Sequence, residues 1–203
     1  MTAQETLDKN LGGVTTAKAA LDRVADAERH ATQAVRTQTD RIASEQTAVR
    51  EAAATANAKA LAGEDVAALL AENATRQQAI DFFNQSTRAE LEISVWKLTV
   101  EKLRLDYELA TAILAAEQSR LAVHEQAVAR ALAALCAVCA NPRLTVGGAK
   151  SQSEGRNTGD LKGQRHAQLI KDAAVRAEQA KQAWADAAEH TLNLQRAFLR
   201  RTA

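Results

Sequence analysis

The chain has 203 residues, and its 26 basic against 25 acidic side chains leave a formal net charge of +1, so neither polyanion binding nor an acidic tail is announced. Hydrophobic residues make up 46%, but 47 residues are alanine, and Leu, Ile, Val and Phe together number only about 40, near the ~20% level below which chains turn disordered. One proline, eight glycines and 3% aromatics exclude a turn-rich β-sandwich, a collagen-like chain and a Pro/Gly-rich linker, which leaves an all-α fold.

Met1 to Leu11 carries Glu5, Asp8 and Lys9 and lacks the apolar run of a secretory signal, so no export by that route is expected. Gly12-Gly13 interrupts the chain. From Val14 to Ala62 there is neither glycine nor proline, and Gly63 stands where a helix C-cap belongs. The expectation is one helix over about 14–62, roughly 70 Å at about 1.5 Å per residue. Along it Val14, Leu21, Glu28, Val35, Ile42, Val49 and Ala56 recur every seven residues, with Ala17, Val24, Ala31, Gln38, Glu45, Ala52 and Lys59 three positions on. This is a heptad seam, weakened as a simple two-stranded coiled coil by its polar members, and Ala20, Ala27, Ala34 and Ala48 broaden it.

Glu64-Asp65 supplies the acidic first turn of the next helix. Asn84-Gln85-Ser86 offers a break, and Thr87 to Glu90 matches a capping box, yet no glycine or proline enforces a stop. A continuous or gently kinked helix over 65–140 is expected. Between Leu91 and Val138 it carries two seams. The first includes Leu91, Val95, Leu98, Leu105, Leu109, Ala116 and Val123, and the second includes Trp96, Val100, Tyr107, Ala110, Leu114, Leu121, Val128 and Leu132. A helix with two apolar seams touches partners on two sides, so this one is the expected centre of the bundle.

Asn141-Pro142 ends that helix. Five of the eight glycines then fall between Pro142 and Gly163, and a flexible Gly/Ser-rich loop is expected over 141–163, with Leu144 and Val146 as its short apolar contact. The last helix is expected from about Gln164 to Arg201, with Ile170, Ala177, Trp184, Thr191 and Phe198 in sevenfold register. The domain organisation that follows is a helical segment over 1–140, the loop, and a C-terminal helix over 164–203 that packs back on the bundle.

Chemistry is sparse. Cys136 and Cys139 are half of a zinc site with no second pair, and they read as two small buried apolar residues. None of His30, His124, His166 and His190 has a glutamate three residues ahead, so the di-iron motif is missing. Gly147-Gly148-Ala149-Lys150-Ser151 lacks the adjacent Gly-Lys of a phosphate loop and follows a helix. No catalytic, metal or cofactor residues are therefore expected, and no enzyme activity. The charges along 14–62 nearly cancel, which gives no nucleic-acid signature. The longest uncharged apolar run, Ala131 to Ala140, is too short for a transmembrane span, though weak contact with a membrane surface stays open.

These readings converge on an elongated bundle of three, or four, long helices with coiled-coil-like packing. Its apolar content is too thin for the monomer alone, and a homo-oligomer or a place among other subunits is expected. The residues expected to carry packing and assembly are Leu98, Leu105, Leu109, Leu114 and Leu121 in the centre, with Val35, Ile42, Val49, Trp184 and Phe198 on the flanks. Arginine outnumbers lysine 17 to 9, which with the alanine points to a GC-rich bacterium or its phage. The leading expectation is a non-enzymatic structural component of a bacteriophage virion, at a portal, tail or internal core, made in the bacterial cytoplasm. The alternatives are an envelope- or secretion-associated membrane-active helical protein and a cytosolic helical adaptor.

Overall fold

The computed structural model describes residues 2–139 and 149–202. They form helix α1 over Ala3–Leu61, α2 over Ala67–Phe82, a π-helical turn over Phe83–Thr87, α3 over Arg88–Cys139 and α4 over Ala149–Thr202. No strand occurs among the described residues, and the fold is an all-α helical bundle.

Two expectations are corrected here, both by glycines that fail to break a helix. α1 starts at Ala3 and runs straight through Gly12-Gly13, not from Val14. A helical glycine costs about 1 kcal/mol, and contacts upstream outweigh it: Leu7, Asn10 and Leu11 are half-buried and Asn10 is hydrogen-bonded to α3. Likewise α4 starts at Ala149 and not at Gln164, so the flexible loop expected over 141–163 is already helix from Ala149 onward. Gly155, Gly159 and Gly163 come singly and no proline lies among them, so each weakens the helix without stopping it. The rest of the expected loop, with Leu144 and Val146, lies outside the described residues.

Where the backbone does turn, the local chemistry is explicit. Gly63 has φ +81°, the Gly63 N–H donates to Ala60 O (3.0 Å) and the Glu64 N–H to Lys59 O (3.1 Å), the paired bonds of a Schellman cap. Asp65 Oδ1 then accepts the Ala67 N–H at 3.0 Å and opens α2. At Asn84-Gln85-Ser86 the chain neither stops nor stays α-helical. The Arg88 N–H donates to Phe83 O, five residues back, so Phe83–Thr87 is a π turn in an otherwise unbroken helical path, and Thr87 caps nothing.

The chain divides into two units, each taking a segment from α1, α3 and α4. Unit 1 comprises Met1–Asp22 and Lys102–Ala185. In it α3 and α4 run antiparallel: Tyr107 stacks on Trp184 (centroids 6.0 Å apart), and His124 lies 5.8 Å from His166. α1 meets α3 elsewhere on its surface, where Asn10 Nδ2 donates to Ala115 O (3.3 Å) and Ser119 Oγ (2.8 Å). Glu117, two residues from each of them in sequence, is turned about 200° away at about 100° per residue, and it faces His166 of α4 instead. From Lys102 to Glu117 only Glu108 is exposed, because α3 is covered on two faces.

Unit 2 comprises Arg23–Glu101 and Asp186–Ala203. Here Trp96 packs on His190 (4.3 Å), Thr99 Oγ1 donates to Glu28 Oε1 (2.6 Å), and Asn73 Nδ2 donates to Val49 O (3.2 Å), pinning α2 to α1. Val49, Ala56, Ile80 and Phe83 are its buried apolar side chains on α1, α2 and the π turn. Over its residues 161–200 α4 buries a narrow stripe at three-, four- and seven-residue steps: Ala173, Ala177 and Ala180 in unit 1, Ala187 and Thr191 in unit 2. Such a stripe is a coiled-coil seam rather than the broad face of a helix on a closed core.

Candidate functional site

The ten seam residues singled out in the sequence are each buried or half-buried. Leu105 and Leu109 are buried, and Leu114 and Leu121 half-buried, on the unit 1 segment of α3, and Trp184 stacks there on Tyr107. In unit 2 Val49 is buried and Val35, Ile42, Leu98 and Phe198 are half-buried. Val35 shares a shallow cleft with Val95 and Trp96, and Phe198 one with Ala89 and Ile93. Of the alanines added to the α1 face, Ala20 and Ala48 are half-buried, whereas Ala27 and Ala34 are exposed, because the stripe is narrower than the sequence reading allowed.

A polar cluster interrupts the α3–α4 seam of unit 1. Glu117 is buried and forms an ion pair with Arg120 on its own helix. Its Oε2 stands 4.0 Å from His166 Nδ1, and both atoms are buried with no hydrogen-bond partner. Buried polar atoms left unpaired cost about 1–3 kcal/mol each, so the cluster fixes register at the expense of stability. Among the described residues no group of three or more His, Cys, Asp or Glu side chains is placed to hold a metal ion. Cys136 is free and exposed, not buried as expected, since that stretch of α3 is exposed from Glu125 to Ala134 as well.

Large apolar side chains stay exposed in both units, Val175 and Leu199 on α4 among them. In unit 2 the α1–α2 turn projects Leu61, 91% exposed, directly before the Gly63 cap, and Leu69 and Leu70 follow on α2. Phe82 is 67% exposed beside the buried Phe83, since neighbours on a helix point about 100° apart and cannot share one face. In unit 1 the outer part of α3 and the facing part of α4 enclose an open groove of about 580 Å³. Leu121, Val128, Ala129 and Leu132 line it from α3, and Gly163 and Ala167 from α4. A Cβ on Gly163 would meet only the His124 ring, at 3.9 Å, so the glycine leaves a gap in the groove wall rather than relieving a clash.

Sequence reasoning took Phe82 with Phe83 as part of one apolar stretch, and gave Leu61 no role because it falls off the α1 seam. That is itself a legible signal: a leucine out of register next to a turn glycine has no intrahelical reason to be there. Among the described residues no helix is long and apolar enough to cross a membrane. No protein family model, curated protein or solved structure matches this chain.

Proposed function

We propose that this chain is a non-enzymatic structural subunit that works as one of many copies in a helical assembly. The observation that carries this reading is the split between spent and unspent apolar surface. Leu105, Leu109 and Val49 of the seams are buried inside the chain, while Leu61, Phe82, Leu70 and Leu199 of unit 2 and Leu161 and Val175 of unit 1 stand in solvent. A large aliphatic or aromatic side chain forfeits about 1.5–3 kcal/mol when left exposed, and contiguous exposed apolar surface is the usual mark of a docking surface. The specific form of the reading is a bacteriophage virion component, made in the bacterial cytoplasm and built into the particle, and composition supports it through the arginine and alanine bias.

The test is the solution mass of the purified chain by light scattering over a concentration series, with circular dichroism at each end. A highly helical species whose mass rises in whole multiples of 21.8 kDa is the expected outcome. A helical monomer at every concentration overturns self-assembly, and binding to liposomes by that monomer would replace it with the membrane-active alternative.

A further inference from the structure

Within unit 1, α1 is weak at a place where no contact requires it. Gly12, Gly13, Val14, Thr15 and Thr16 are consecutive poor helix formers in an alanine-rich chain. The glycines serve no close approach: a Cβ on either would meet nothing within 4 Å, and neither has a positive φ. The Thr15 and Thr16 hydroxyls donate to Leu11 O (3.1 Å) and Gly12 O (3.0 Å), back-bonds that soften a helix further. Ahead of this run, Ala3–Leu11 is held on its own terms. A reciprocal capping box starts it, with the Glu5 N–H donating to Thr2 Oγ1 (3.2 Å) and the Thr2 N–H to Glu5 Oε2 (2.6 Å). Gln4 Nε2 adds a bond to Asp8 Oδ1 at 3.0 Å. The polar hold on α3 is Asn10, bonded to Ala115 O and Ser119 Oγ, with Leu7 and Leu11 half-buried on either side of it. No residue of 3–11 is fully buried, whereas Ser119 is.

We infer that Ala3–Leu11 is a strap that opens as one piece about Gly12-Gly13 and uncovers Ala115 and Ser119 on α3 while the rest of unit 1 stays folded. Opening breaks the helix where its propensity is lowest and releases the two bonds of Asn10. A detached helix shorter than about 12 residues is marginal in water even with a good cap, so the amides of the strap lose protection together. The strap thereby gates one face of the central helix. Whatever binds that face of α3 favours the open state, and whatever adds contacts to the strap favours the closed one. The inference is independent of self-assembly, because every contact it uses lies within one unit of one chain.

Amide hydrogen exchange on the full chain tests it. Corrected for intrinsic rates, the amides of Thr6 to Thr16 are expected to share one protection, below that of Lys18 to Val49 on α1 and of Leu105 to Glu117 on α3. Gly12→Ala with Gly13→Ala should slow their exchange roughly 20-fold, the propensity gain of two alanines over two glycines, and leave α3 unchanged. Asn10→Ala should speed it about 10-fold, the scale of two lost hydrogen bonds. Ser119→Cys reports the uncovering: alkylation at that position, read by peptide mass, should slow by the same roughly 20-fold when the glycines are replaced. Protection that rises residue by residue from Thr6 inward, with Thr6 to Leu11 indifferent to the glycine substitutions, is plain fraying and overturns the strap. Exchange of Thr6 to Thr16 only in step with Leu105 to Glu117 overturns independent opening. Alkylation that ignores the glycines overturns the uncovering of α3.

Discussion

The two units solve the same packing problem with different side chains. In unit 1 Ala110, Ala177 and Ala180 cluster beside Tyr107 where α3 meets α4, and Leu105 and Leu109 are the large side chains buried on α3. Small side chains let helices approach closely, and the register is then set by polar groups that reach across: Asn10 to Ser119, and Glu117 towards His166. Unit 2 buries Val49, Ile80 and Phe83 and sets its register by Thr99 to Glu28 and Asn73 to Val49. Close alanine packing is intolerant of added volume, whereas packing on large side chains is intolerant of lost volume.

The harshest way to break this comparison is charge in the buried face of α3. Leu105→Asp with Leu109→Asp puts two carboxylates at buried positions, and loss of cooperative unfolding together with most of the helical signal at 222 nm is expected. Unchanged helicity and mass would mean that this face packs against nothing. A sharper measurement exchanges volume between the units. Phe83→Ala should cost about 3–5 kcal/mol by chemical denaturation. Ala180→Leu should cost about 1–3 kcal/mol, although it adds apolar surface, because unit 1 has no room for it. A stabilising Ala180→Leu would show that the alanine seam is loosely packed.

The smallest effects separate the two polar contacts of unit 1. Asn10→Ala removes two hydrogen bonds that are made, and about 1–2 kcal/mol should be lost in thermal unfolding. His166→Leu removes a ring nitrogen that is buried without a partner, and stability should hold or rise by up to about 1 kcal/mol. The opposite order would make His166, and not Asn10, the residue that holds unit 1 in register.

Legibility in the sequence followed the physics of each feature. The sevenfold stripes of α1 and α4 are visible because helical periodicity depends on spacing alone, and Ala177, Thr191, Val49 and Ala56 are buried on them. The Gly63 cap is visible for the same local reason: a left-handed residue at a helix end calls for glycine. The glycine pair at 12 and 13 misleads, because its cost is local while the gain that overrides it comes from Asn10 and a helix about a hundred residues away. The groove was invisible, since Gly163 acquires its meaning only from the α3 residues opposite it.

By itself, then, the sequence determined the all-α class, the seams and the turn at Gly63, all of which follow from propensity and period within one segment. Only the tertiary structure decided that α1 and α4 reach past their glycines, that the chain divides across its helices into two units, and which apolar side chains stay in solvent. Those outcomes depend on the balance between a local cost of about 1 kcal/mol per glycine and burial against distant helices, and no reading of single segments contains the second term.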